Sequence, residues 1–128
     1  MHMSLKDATV ATRLPARDLE RARGFYADKL GLEPVEERPG GLLYRCAGGE
    51  FALFESAGVS PGTSTQMAFS IRDLDATMAD LKARGLVFAE EFGIVDVEGN
   101  YPSKGGRGER AVWFRDSEGN LVGIGQPL

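Results

Sequence analysis

The tetrapeptides Arg17-Asp18-Leu19-Glu20 and Arg72-Asp73-Leu74-Asp75 write one pattern twice, 55 positions apart. Each copy follows a strand-like stretch and opens a helix-like one. A chain made of one unit used twice has to cover the same apolar face twice, and two such half-sheets commonly enclose a cleft. That cleft is the place to look for function.

In the first unit a strand is expected over residues 9–14, ended by Pro15, which has no N–H for a ladder. Asp18 stands at a helix N-cap and Glu20 adds negative charge to the first turn. Leu19, Ala22, Tyr26 and Leu30 recur at helical spacing, and Gly31 supplies the stop. Strands are expected at 33–37, 42–47 and 51–55, with Gly40-Gly41 and Gly48-Gly49 as tight turns. Residues 59–65, with Pro61 and Gly62, read as a linker. The second unit repeats the order: a strand at 67–71, a helix capped by Asp73 and carrying Leu74, Met78 and Leu81 to a stop at Gly85, then strands at 86–90, 111–114 and 121–124. Ser117-Glu118-Gly119-Asn120 forms the last turn. Segment 92–109 is long and glycine-rich, which suits either a functional lid or disorder. The expected organisation is an N-terminal extension, 1–8, then a single domain, 9–126, made of half-units 9–58 and 66–126. Met1-His2-Met3 has the form of a cloning remnant.

Bulk chemistry narrows the partners. A net charge of −4 and the lack of a basic cluster argue against nucleic acid. No apolar run approaches the ~20 residues that span a bilayer, and no signal peptide heads the chain. The single cysteine, Cys46, permits no internal disulfide, so a cytoplasmic location is expected.

Strand residues alternate between two faces. Thr12, Leu14, Phe51, Leu53, Met67, Phe69, Ile71, Val122 and Ile124 are expected to face the helices. The opposite face then reads Ala11, Arg13, Ala52, Phe54, Gln66, Ala68, Ser70, Gly123 and Gly125. Small residues with an arginine, a glutamine and an aromatic describe a ligand pocket, with apolar walls and a few placed polar groups. Close approach of another strand or subunit is the alternative reading.

The run Leu14-Pro15-Ala16-Arg17-Asp18-Leu19-Glu20-Arg21-Ala22, with Phe25-Tyr26 and Leu30-Gly31-Leu32, resembles the first half-unit of the vicinal oxygen chelate superfamily. That superfamily holds glyoxalases, bleomycin resistance proteins and extradiol dioxygenases. Asp73-Leu74-Asp75, Leu81-Lys82-Ala83-Arg84-Gly85 and Phe114-Arg115-Asp116-Ser117-Glu118-Gly119-Asn120 resemble its second half. The resemblance covers residues 9–126. It implies an α+β fold of two βαβββ half-units, forming a cupped mixed sheet with helices on the convex face, commonly in a homodimer. It also implies a divalent metal held by His, Gln or Glu from the first and last strand of each unit. Those four places fall at Ala11, Ala52, Gln66 and Gly123, of which only Gln66 carries a donor atom. A catalytic site ordinarily needs about three protein ligands. No metal and no other cofactor is therefore expected.

Other candidate chemistry is sparse. Arg13 can pair with a ligand carboxylate through its guanidinium fork, or with a structural partner such as Glu50. Trp113, alternating with Phe114, can stack on a flat ligand in the cleft or fill a core or subunit interface. Tyr101 can close over a guest or stand solvated on its loop. Lys104-Gly105-Gly106-Arg107-Gly108 lacks the spacing of a phosphate-binding loop. His2, the one histidine, lies outside the domain, so neither Cys46 nor any serine has an activating base there. The expected function is metal-independent binding of a small apolar or aromatic molecule, as in sequestration of an antibiotic or metabolite, with Arg13, Phe54, Gln66, Ser70, Trp113 and Tyr101 at the site. A lyase or dioxygenase-type enzyme with an atypical metal arrangement is the alternative. An interaction module, with the small-residue face as an interface, is a third.

Overall fold

The structure is a computed structural model that describes residues 4–97 and 109–127. After a short 3-10 turn at Leu5–Asp7 come β1 (Thr12–Ala16), α1 (Leu19–Leu30), β2 (Glu36–Arg38), β3 (Gly41–Cys46) and β4 (Gly49–Glu55). The second half follows the same order: β5 (Thr65–Ser70), α2 (Leu74–Ala83), β6 (Val95–Val97), β7 (Glu109–Arg115) and β8 (Leu121–Pro127). The strands form two four-stranded sheets, ordered β1-β4-β3-β2 and β5-β8-β7-β6. In each, the first strand of the unit pairs in parallel with its last and the other pairs are antiparallel. This is the α+β arrangement of two βαβββ units.

Local chemistry explains both helices. The Asp18 carboxylate accepts from Arg21 N–H at 3.0 Å and Asp73 accepts from Ala76 N–H at 3.0 Å, each satisfying a donor that the first turn leaves unpaired. Helix α1 ends where Gly31 takes φ of 69°, a conformation that disfavours any residue with a Cβ. Helix α2 closes one residue before the expected glycine, on Arg84.

Two expectations are corrected. Strand β1 starts at Thr12 and runs through Pro15 instead of ending there. Pro15 is tolerated because its backbone faces away from β4: its carbonyl accepts from Asn120 Nδ2 at 2.9 Å, while the neighbouring Ala16 carbonyl bonds Ser56 N–H. In the second half, 86–90 is not a strand. Ala89 N–H bonds the Trp113 carbonyl, the chain turns through Gly93 at φ 62°, and Val95–Val97 takes the edge of β7 instead. A strand thus lies inside the segment expected to be a loop.

Two apolar clusters form the core, one per half. Phe25 and Leu30 of α1 and Met67 and Phe69 of β5 pack against both. Rings run across the joint: Phe25 stacks on Phe114 at 6.3 Å and Phe51 meets Phe69 edge-on at 6.0 Å. The halves are further tied by the β7–β8 turn. Buried Asp116 accepts from Tyr26 OH at 2.7 Å and from the Asn120 side chain at 2.9 Å. Glu118 accepts from Asp18 N–H at 2.9 Å and from two nitrogens of Arg21, at 2.8 and 3.0 Å.

Candidate functional site

On the face of the first sheet opposite the core lies a trough of about 380 Å³. Its shape follows from the register. Ala52 sits between Arg13 on one side and Leu43 on the other, and Phe54 sits between Pro15 and Gly41. The small residues Ala52 and Gly41 form the floor, leaving Arg13, Leu43 and Phe54 as walls. Arg38 and Glu36 close the far side and pair with each other at 2.7 Å. Glu50, the carboxylate expected to engage Arg13, pairs with Arg45 at 2.8 Å. Arg13 is exposed and has no hydrogen-bond or ion-pair partner among the described residues. A planar guanidinium at the lip of an apolar trough suits a flat molecule with an anionic end.

The matching face of the second sheet is differently built. Trp113 projects from β7 over Gly123 of β8, where a Cβ would lie 3.1 Å from the indole nitrogen. The indole N–H donates to Thr65 Oγ1 at 3.0 Å, and the Phe92 ring packs on it at 5.6 Å. Arg115, held by Glu91 at 2.8 Å, backs Phe92 with its guanidinium 5.7 Å from the ring centroid. Trp113 is thus pinned as a cover over Gly123. The Glu109 carboxylate covers Gly125 in the same manner.

Gln66 stands apart from both arrangements. Thr65 and Met67 pair with the successive residues Leu121 and Val122, so Gln66 is the extra residue of a β-bulge. Its amide oxygen accepts from Ser60 Oγ and from Leu121 N–H at 3.2 Å, and its amide nitrogen donates to Asn120 Oδ1 at 3.0 Å. Ser70 is exposed at the end of β5 and lines, with Cys46, a separate cavity of about 600 Å³ at the joint of the two halves. The Cys46 thiol is half-buried, and burial pushes its pKa up, the opposite of what activates a nucleophilic cysteine. Tyr101 and the glycine-rich 104–108 run lie outside the described residues. Of the residues expected at the site, the trough gathers Arg13 and Phe54. Trp113, Ser70 and Gln66 lie outside it.

Sequence reasoning missed the polar joint. Arg21 holds the Glu118 carboxylate well below its ordinary range, at about 2, and the Asp18 N–H and Ser117 hydroxyl add to that. Burial, with Asp116 beside it, pushes Tyr26 up instead. The acidic Asp116-Ser-Glu-Gly-Asn120 run was legible as a turn. Its partners, about a hundred residues away in sequence, were not.

A family model described as the Glyoxalase/Bleomycin resistance protein/Dioxygenase superfamily matches residues 8–124. The chain belongs to that superfamily. No curated protein matches. Among solved structures it is similar to a lactoylglutathione lyase from Agrobacterium tumefaciens, at 24% identity and TM-score 0.66, over 94% of this chain and 93% of the other. It is also similar to a fosfomycin resistance protein from Listeria monocytogenes, at 16% identity and TM-score 0.67, over 95% and 94%. A third is an integron cassette protein from V. Cholerae, at 19% identity and TM-score 0.68, over 98% and 97%. At such identities the likeness is one of fold.

The metal that the fold family implies does not fit the residues present. Alanine at 11 and 52 and glycine at 123 offer no donor, and the Gln66 amide is engaged at both ends. The indole of Trp113 also occupies the space that a side chain at 123 needs. No group of three His, Cys, Asp or Glu among the described residues is placed to hold an ion. No described helix is long and apolar enough to cross a membrane.

Proposed function

We propose that this chain is a metal-independent binding protein for a small, flat, largely apolar molecule with an anionic group. The guest lies in the trough of the first sheet, its ring against Phe54 and Leu43 and its anion on Arg13. The observation that carries the metal-free part is Trp113 seated over Gly123, which fills the place from which the family's last ligand would reach. What supports the ligand class is the unpartnered Arg13 beside an apolar floor of suitable volume. Burying ~200 Å² of apolar ligand surface contributes on the order of 5 kcal/mol before association costs, so the Arg13 contact is needed for micromolar affinity.

The trough is open, and in this chain both β1 and β5 are edge strands. A homodimer that joins those edges would close it, and we include that assembly, in a reducing cytoplasm, in the proposal. The test combines two titrations. Calorimetry with nickel, zinc, manganese and ferrous iron is expected to show no stoichiometric uptake. Anilinonaphthalene sulfonate, an aromatic anion, is expected to bind the parent and to bind Arg13→Ala at least ~10-fold more weakly, the worth of one charge-assisted pair. Tight uptake of a metal would return a lyase or dioxygenase reading to first place. Equal affinity of parent and variant for the anion would remove Arg13 from the site.

A further inference from the structure

The second cavity, at the joint of the halves, is lined chiefly by apolar groups, among them Leu30, Leu32, Met67, Phe69 and Leu81, with the Cys46 thiol at its border. Thr12 lines it too, but the chain preceding Thr12 does not enter it. Val10 is instead 93% exposed. Strand β1 also stops short of its partner. Thr12 pairs with Phe51, while Gly49 and Glu50, paired to β3 on one side, have no partner on the β1 side.

Continuing the parallel register one for one lays Ala11 beside Glu50 and Val10 beside Gly49. Alternation then decides where Val10 points. Thr12, Leu14 and Ala16 take one face of β1 and Arg13 the other, and Ala11 already lines the Arg13 trough. Val10 shares the face of Thr12, which is that of the joint cavity. The space is open there: a Cβ on Gly49 would meet nothing within 4 Å. Ala8 already has extended dihedrals, φ −85° and ψ 156°.

We propose that residues 8–11 are a strap that extends β1 along Gly49 and Glu50 and seats Val10 in the joint cavity. The structure shows the strap open. In the closed form Val10 meets the apolar lining, and the backbone of 9–11 satisfies the free edge of β4. The occupant is the chain's own segment, because Thr12 tethers it beside the opening at a high effective concentration.

Cys46 is the chain's only cysteine and borders this cavity, so its labelling by Ellman's reagent reports opening. Val10→Asp is expected to label at least ~10-fold faster than the parent, since burial of a valine favours the closed form by about that factor or more and a charge cannot enter. Val10→Ile is expected to label at the parental rate or more slowly. Val10 is exposed in the open form, so neither substitution threatens the fold, and circular dichroism checks this. Backbone amides at the start of β4 are expected to exchange faster in Val10→Asp than in the parent. Identical labelling of parent and Val10→Asp would overturn the strap. A parental labelling rate that rises on dilution would overturn the assignment to the chain's own segment, because a second copy would then supply it.

Discussion

Gly123 is the position at which the structure makes its sharpest quantitative claim. Adding one methyl group, Gly123→Ala, places a Cβ 3.1 Å from the indole nitrogen of Trp113, against 3.4–4 Å for an ordinary contact, with Ala68 Cβ already 3.7 Å away on another side. The indole cannot retreat freely, being bonded to Thr65 and packed on Phe92. Overpacking of this kind costs about 1–3 kcal/mol. Opposing it, alanine in place of glycine in an extended strand gains about 0.4–1 kcal/mol by restricting the unfolded chain. The expected net effect is a loss of about 1–2 kcal/mol in urea unfolding, with a shifted emission maximum from the protein's single tryptophan. In a Trp113→Ala background the obstacle is gone, and the same substitution should stabilise by about 0.5–1 kcal/mol, read by far-ultraviolet circular dichroism. The sign reversal, a coupling of about 2 kcal/mol, is the signature of direct contact. An effect of the same size and sign in both backgrounds would refute the packing argument, and with it the structural reason for the missing ligand.

Further outcomes follow from the polar joint and the trough. Glu118 is held at about 2 against an ordinary 4.5, so its stabilising contribution is complete above pH 4.5 and is lost as the pH falls toward 2. The shift corresponds to about 3 kcal/mol, which solvent around the half-exposed Arg21 reduces to about 1–2 kcal/mol. Glu118→Gln should therefore be less stable than the parent by that amount at neutral pH, and the difference should shrink through this window in acid melts. Tyr26→Phe removes one of the hydrogen bonds to buried Asp116 and should cost about 1–3 kcal/mol in urea unfolding. Phe54→Ala should weaken anilinonaphthalene sulfonate several-fold with unchanged stability, since the ring is 37% exposed. An unaltered dissociation constant would take Phe54 out of the trough.

The local signals carried a good deal. The spacing of Leu19, Ala22, Tyr26 and Leu30 between Asp18 and Gly31 determined α1 to the residue, because caps and helical periodicity are written within a dozen positions. Alternation in β4 and β8 assigned Phe51, Leu53, Val122 and Ile124 to the core for the same reason. The absence of donor atoms at Ala11, Ala52 and Gly123 needed no coordinates either. Tertiary structure decided the rest. A bulge before Met67 withdrew Gln66 into hydrogen bonds with Ser60 and Asn120, and no local pattern distinguishes a strand with one extra residue from a regular one. Pro15 stayed in β1 because Asn120, far along the chain, donates a side-chain hydrogen bond to its carbonyl. Val95–Val97, not 86–90, became the edge of the second sheet because β7 had one free side and the register of that pairing lies in β7, not in the strand itself. The place of Trp113 over Gly123 likewise belongs to a cross-strand pair. Sequence determines what each short segment prefers; which segments meet, and so which side chains a guest can reach, is settled by contacts between residues distant in the chain.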